Sequence, residues 1–327
     1  MTHDATRPTS SCAGWNRSLA VVLLSLLMLL PGAAAWAQPP SEASSSRQVL
    51  LAGSDNAAFN IRFTQLLRDQ LGPQVEVRPY SESASLANPQ ALVVTLGNRA
   101  LSEVQQQSPR PATLALMVDE DQFENYGQRD GPPVSAIYYD PPLLRQALLG
   151  QLILPHGNQV AILVRPGEET RYDGLIAELA NYDLQAKLFT IESEDTLIAS
   201  LARALAYGDY LLAVSDTAIY NPRTIKHILL TAYRRNRIVI GPARAFVRAG
   251  VLATTYTPLD DIAGAAVEHI RHFLRSGRLP PAVHPDEFRV EINRQVARSL
   301  NIPVPEAGEL EAQLKSLLGA PAEEETP

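Results

Sequence analysis

Cysteine is almost absent from this chain: Cys12 is the one thiol in 327 residues. It lies ahead of the only long apolar run, so the sequence beyond that run can form no disulfide and must be held by its core. A zinc centre has little to build on either, since such sites need three or four convergent ligands and thiolates are lacking. His269 and His272, three apart, together with His284, are the nearest approach to one; an exposed helix face accounts for the spacing as well. Sequences of the type G-x-S-x-G, the P-loop and G-x-G-x-x-G are missing, so neither a hydrolase elbow nor a nucleotide cradle is expected. No cofactor is implied. The net charge of −7 argues against nucleic acid or an anionic membrane surface as the partner.

The first residues read as an export leader. Arg7 and Arg17 precede the apolar stretch Leu19–Leu30, Pro31-Gly32 breaks it, and Ala35-Trp36-Ala37 offers an A-x-A cleavage site before Gln38. The apolar stretch is short for a membrane span. Residues 1–37 are therefore expected to be a signal peptide cleaved after Ala37, which places the protein in the periplasm. Its removal takes the net charge from −7 to −8, because Arg7 and Arg17 outweigh Asp4 by one charge. Residues 38–46, rich in Pro and Ser, read as a spacer.

From there, strand and helix patterns alternate. Val49–Ala52, Ala91–Leu96 and Thr113–Val118 are apolar runs that end in polar turns, and Phe59, Phe63, Leu66 and Leu67 recur at helical spacing. Val75–Val77 alternates as an edge strand does. A second series follows a helix carrying Leu144, Ala147, Leu148 and Leu152. Its strands are Gln159–Val164, Lys187–Ile191, Tyr210–Val214 and Arg237–Ile240. Ile225, Ile228, Leu229, Ala232 and Tyr233 form the stripe of a helix that Asn221 and Pro222 would open. Leu252–Tyr256, Ile262–Leu274 and Glu287–Ile292 add strand, helix and strand. Two βα series of similar length imply an α/β protein of two doubly wound parallel-sheet lobes.

The stretch Gly208–Pro305 carries the clearest site signal. A buried strand ends at Ser215-Asp216-Thr217, where open α/β sheets bind ligands. The Asp216 carboxylate there can pair with a ligand ammonium group, or can serve as an acid at a helix start. Ser215 and Thr217 share both readings. Ser54, in the turn after the first strand, and Asn98, after Gly97, occupy equivalent places in the first series, where capping is the competing role. Asp119 adjoins Glu120 and Asp121 and reads as part of a solvated acidic loop. Arg244 follows a strand end and can grip a carboxylate bidentately. Tyr256 and Tyr220 can stack on a flat ligand or pack near a hinge.

Four segments in order, LPHGNQVAILVRPGEE, GDYLLAVSDTAIYN, RIVIGPARAFVRAGVLATTY and FRVEINRQVARSLNIPVP, carry a family likeness. From Leu154 to Pro305 the chain resembles the bacterial ABC-transporter substrate-binding proteins of the type I periplasmic-binding fold, the group that includes aromatic amino acid binders. The resemblance implies a two-lobed clamp with three crossovers, a hinge and a ligand in the cleft between the lobes, without catalysis. By position it brings Glu168, Asp216 and Thr217 to the cleft. It sends the helix Ile262–Leu274 back to the first lobe and the strand near Val290 to the second. Two departures stand out: Arg165 replaces the family's usual Asn, and its Asp-Pro turn appears here as Asp119-Glu120-Asp121.

The expected organisation is 47–140 with 258–276 as lobe 1, 141–257 with 280–305 as lobe 2, and 306–327 as an acidic tail in which 306–319 can form a helix. The expected function is capture of a small, amino acid-like ligand by a monomer for delivery to a membrane ABC permease. The alternative is a sensory or regulatory binding protein that signals to a membrane receptor or envelope partner.

Overall fold

The computed structural model describes residues 47–127 and 130–319; the leader, the spacer and the last acidic residues of the expected tail lie outside this range. In chain order, β1 (Arg47–Ala52), α1 (Ala57–Leu71), β2 (Val75–Pro79), α2 (Glu82–Ala87), β3 (Leu92–Leu96), α3 (Asn98–Gln105), β4 (Thr113–Val118), α4 (Glu120–Gly127) and β5 (Val134–Tyr138) build one lobe. The other begins with α5 (Leu143–Ile153), β6 (Gln159–Val164), α6 (Asp173–Ala180), β7 (Gln185–Thr190), α7 (Glu194–Tyr207) and β8 (Tyr210–Leu212). It continues with α8 (Ile225–Arg234), β9 (Ile238–Ile240), α9 (Arg244–Ala249) and β10 (Ala253–Tyr256). Then α10 (Leu259–Ser276) returns to the first lobe, while β11 (Arg289–Ile292), α11 (Arg294–Ser299) and α12 (Ala307–Gly319) complete the second.

The first sheet is parallel throughout, in the order β2-β1-β3-β4-β5. Its strands are apolar on both faces because helices cover both. Val49 and Leu51 pack with Phe63 and Leu67 of α1 and with Ile262, Ala266 and Ile270 of α10, whereas Leu50 and Ala52 face Ala100 and Val104 of α3. The second sheet runs β11-β10-β9-β8-β6-β7, parallel except for the antiparallel β11. Strand order therefore reverses between β1 and β3 in one lobe and between β6 and β8 in the other. Crevices open at such switch points, beyond the carboxyl ends of the strands. This is the architecture of two doubly wound lobes that the sequence implies.

The chain crosses between the lobes at 139–142, at 257–258 and at 277–288. On the last crossing Val283 adds a parallel bridge to Ile137 at the free edge of β5. Strand β5 itself has no counterpart in the sequence reading. Its second residue, Ser135, interrupts the apolar run; it is buried and donates its hydroxyl to the Pro280 carbonyl at 2.6 Å. The acidic stretch after Asp119 differs too. Glu120 and Asp121 form the first turn of α4, where the helix dipole favours carboxylates, so a helix replaces the expected loop. Asn221 accepts from the amides of Arg223 and Thr224 and caps a turn; α8 begins only at Ile225.

Candidate functional site

The residues singled out at the strand ends prove to be engaged mostly with one another. Asp216, beyond β8, accepts the Ala218 amide at 2.8 Å through Oδ1 and the Arg165 Nε at 2.7 Å through Oδ2. Arg165, beyond β6, donates its Nη2 to Glu168 at 2.5 Å. One guanidinium thus bridges both acids across the second-lobe switch point. Ser215 lies beside this group and is half-buried, whereas Thr217 is exposed. In the first lobe Ser54 is clasped to Asn60: its amide and hydroxyl donate to Asn60 Oδ1 at 2.9 and 2.8 Å, and Asn60 Nδ2 returns a bond to its carbonyl at 2.8 Å. The N-cap of α1 is Asn56, which accepts the Phe59 amide. Asn98 opens α3, with its Oδ1 buried and unpartnered. Next to it Arg99 pairs with Asp55 and, at 3.2 Å, with Glu103.

Two cavities open between the lobes on either side of Pro141. The first has a volume of about 400 Å³ and is walled by Phe59 and Arg62 of α1, Met117, Tyr139, and Arg244, Thr255 and Tyr256 of the second lobe. Arg244 bonds Glu291 through Nε at 3.0 Å, and its Cζ sits over the Tyr256 ring, 4.6 Å from the centroid. Thr255 is fully buried and its hydroxyl has no partner. Met117 has φ of 58°, and the register between β4 and β5 shifts across it. A bulge in left-handed backbone at a cavity wall is the kind of local strain that functional sites accumulate.

The second cavity, of about 410 Å³, is acidic on its first-lobe side: Glu120, Asp121, Glu124 and Asp140 face Arg171, Tyr172 and Ser215, with His284 from the third crossing. Arg171 reaches across to Asp121 and, at 4.0 Å, to Glu124, so it ties the lobes together there. Burial pushes Asp140 up to about 7, aided by the neighbouring Asp119 charge, and raises Asp119 and Glu120 as well. Burial, helped by the Arg145 charge, holds His284 down at about 4. A larger hollow of about 660 Å³ lies by Asp209 and Ile238, at the amino ends of the second-lobe strands, away from the crevice where parallel sheets take ligands.

These two shifts act on stability in opposite directions. The folded Asp140 keeps a proton that the unfolded chain releases near pH 3.8, so stability falls as pH rises from there through about 7. The folded His284 stays neutral while the unfolded chain gains a proton below 6.5, so stability falls as pH drops toward about 4. Asp140→Asn, which keeps an acceptor for the Glu120 amide, is expected to stabilise the protein at pH 8 by about 2 kcal/mol and by nothing near pH 4. His284→Gln is expected to help only on the acid side. Urea midpoints at pH 4, 6 and 8 check both, and a pH-independent gain for Asp140→Asn would contradict the account.

Among the described residues no group of three His, Cys, Asp or Glu converges on a metal position. His269 contacts the carbonyls of Ala265 and Pro281, and His272 that of Arg278. No described helix is long and apolar enough to cross a membrane. Of the eight residues read as ligand-binding, the structure brings Arg244 and Tyr256 together on one cavity and Ser215 to the other. Asp216 and Glu168 form a closed triad with Arg165, Thr217 is exposed and lines neither cavity, and Ser54 and Asn98 sit at the first-lobe switch point. Arg62, Tyr139, Thr255 and Met117 were not anticipated. Arg62 had a faint signal, one turn beyond Phe59 on the helix that follows the first strand.

No protein-family model and no curated protein sequence matches the chain. Solved structures do match in fold. The L-Trp-bound ABC domain from Streptococcus pneumonia has a TM-score of 0.51 at 15% identity, over 79% of this chain and 95% of that one. The ligand-free, open form of CD0873, a substrate-binding protein with adhesive properties from Clostridium difficile, gives 0.62 at 12%, over 80% and 96%. A conserved domain protein from Vibrio cholerae gives 0.53 at 16%, over 82% and 98%. The fold is thus the two-lobed α/β fold of the type I periplasmic binding proteins.

Proposed function

We propose that this is a periplasmic solute-binding protein, not an enzyme, that closes on a small organic molecule between its lobes and presents it to a membrane ABC permease. The carrying observation is a cavity of about 400 Å³ whose walls come from both lobes at the carboxyl side of their sheets, next to two of the three chain crossings. Hinge closure around such a cavity buries a ligand on all sides. The volume falls within the range of small-molecule sites, roughly 300–1,000 Å³. The fold of solved substrate-binding proteins and the leader read over residues 1–37 support the same reading. The protein acts as a monomer in this scheme.

Thermal unfolding of the purified protein with amino acids, purines, sugars and organic acids tests the proposal. One chemical class is expected to raise the melting temperature, by the equivalent of about 2.7 kcal/mol at a hundredfold excess over Kd. Small-angle scattering is expected to show contraction with that class alone. A chain that neither gains stability nor contracts with any class is not a solute clamp.

A further inference from the structure

Resting on the clamp reading, we infer that the cleft takes a small organic carboxylate. Arg62 of the first lobe and Arg244 of the second hold the anion, and Phe59, Tyr139 and Tyr256 lie against its apolar body. The other arginines of the cleft are already matched within the protein. Arg165 occupies the two acids, Asp216 and Glu168, that would otherwise receive an ammonium group. Arg99 is matched by Asp55 and Glu103, and Arg171 by Asp121 and Glu124.

The arginines at the first cavity differ. Arg62 is exposed on α1 and makes no ion pair or hydrogen bond among the described residues. Arg244 engages Glu291 only through Nε, which leaves both terminal nitrogens open, and the Tyr256 ring backs the guanidinium from one side. A planar fork held in place before binding is suited to bidentate carboxylate recognition. Among the described residues the acid lining this cavity is Asp260, in the first turn of α10, and Glu291 stands behind Arg244, so the anion would be held by the open donors of the two guanidiniums and not by an excess of charge. Thr255 adds a buried hydroxyl without a partner in the same wall, a donor that a carboxylate oxygen would satisfy. Charge, an orphaned donor and apolar rings thus converge in one space, drawn from both lobes.

Calorimetric titration of the purified protein with benzoate, phenylacetate, succinate, phenylalanine, phenethylamine, benzamide, ribose and inorganic phosphate tests the inference. At least one carboxylate is expected to bind, more weakly as salt is raised, while phenethylamine and benzamide do not. For the tightest carboxylate, Arg62→Gln and Arg244→Gln are each expected to raise Kd at least tenfold and Thr255→Val about threefold. The unliganded melting temperature should move by no more than about 2 °C in the two arginine variants, since exposed ion pairs contribute little. Binding of phenethylamine, benzamide, ribose or phosphate in place of carboxylates, or a carboxylate affinity indifferent to Arg62→Gln, overturns the anion assignment and leaves the clamp standing. Absence of binding and of contraction with every probe overturns the clamp reading itself.

Discussion

Gln146→Leu is expected to cost about 3 kcal/mol and to lower the melting temperature by roughly 5 °C or more, although the volumes nearly match. Gln146 is fully buried in α5, just past the first crossing. Its Oε1 accepts the Thr255 amide at 2.9 Å, and its Nε2 donates to the Gly241 carbonyl at 2.9 Å and to Thr254 Oγ1 at 2.8 Å. A leucine removes these three bonds and a longer one from Nε2 to the Thr255 carbonyl at 3.4 Å. The Gly241 carbonyl retains the Thr254 hydroxyl as a donor at 2.8 Å, but the buried Thr255 amide is orphaned, and an orphan costs more than a lost bond. The same amide group holds the ends of β9 and β10 next to Arg244 and Tyr256. A midpoint within 1 °C of the parent would show that this network carries no stability.

Gly208→Ala is expected to be of similar size, about 2–4 kcal/mol, for an unrelated reason. Gly208 has φ −75° and ψ 140°, a conformation that alanine adopts freely, so dihedral strain is not at issue. Room is. A Cβ placed there would lie 2.7 Å from the Ala161 Cβ, 2.8 Å from the Tyr210 carbonyl oxygen and 2.9 Å from the Ala161 amide nitrogen. Two of those three atoms are backbone of β6 and β8, which cannot swing aside as a side chain can. Gly174→Ala in α6 is the control: nothing lies within 4 Å, and better helix propensity should raise stability by about 0.5–1 kcal/mol. Denaturant midpoints measured on the pair decide it. Equal shifts of the same sign would mean that packing at Gly208 is looser than the distances say.

Much of this architecture is legible from apolar runs alone, since helices cover both faces of each sheet and leave the strands uniformly hydrophobic. Thr113–Val118 and Gln159–Val164 can be read to the residue. Strand β5 cannot, because Ser135 looks polar until Pro280 arrives from 145 positions away to accept its hydroxyl. The site divides in the same way. Turns at strand ends are local and can be read, but what fills them is not. The pairing of Arg165 with Asp216 spans 51 positions, and it converts a candidate receptor for an amine into a closed ion triad. Arg62 escapes notice because an exposed helical arginine is the commonest kind, and only the cavity across from Arg244 distinguishes it.

The last described helix has a bearing on how this protein survives at high concentration. Leu310 and Leu314 of α12 are completely buried in the second-lobe core, and Glu311 accepts the Val290 amide at 2.8 Å. That amide belongs to β11, which is the outermost strand of its sheet. An edge strand with unpaired amides is a template for another chain to add itself. Here a carboxylate takes one of those amides and the helix lies alongside, so the segment guards the molecule against self-association at that edge of the sheet.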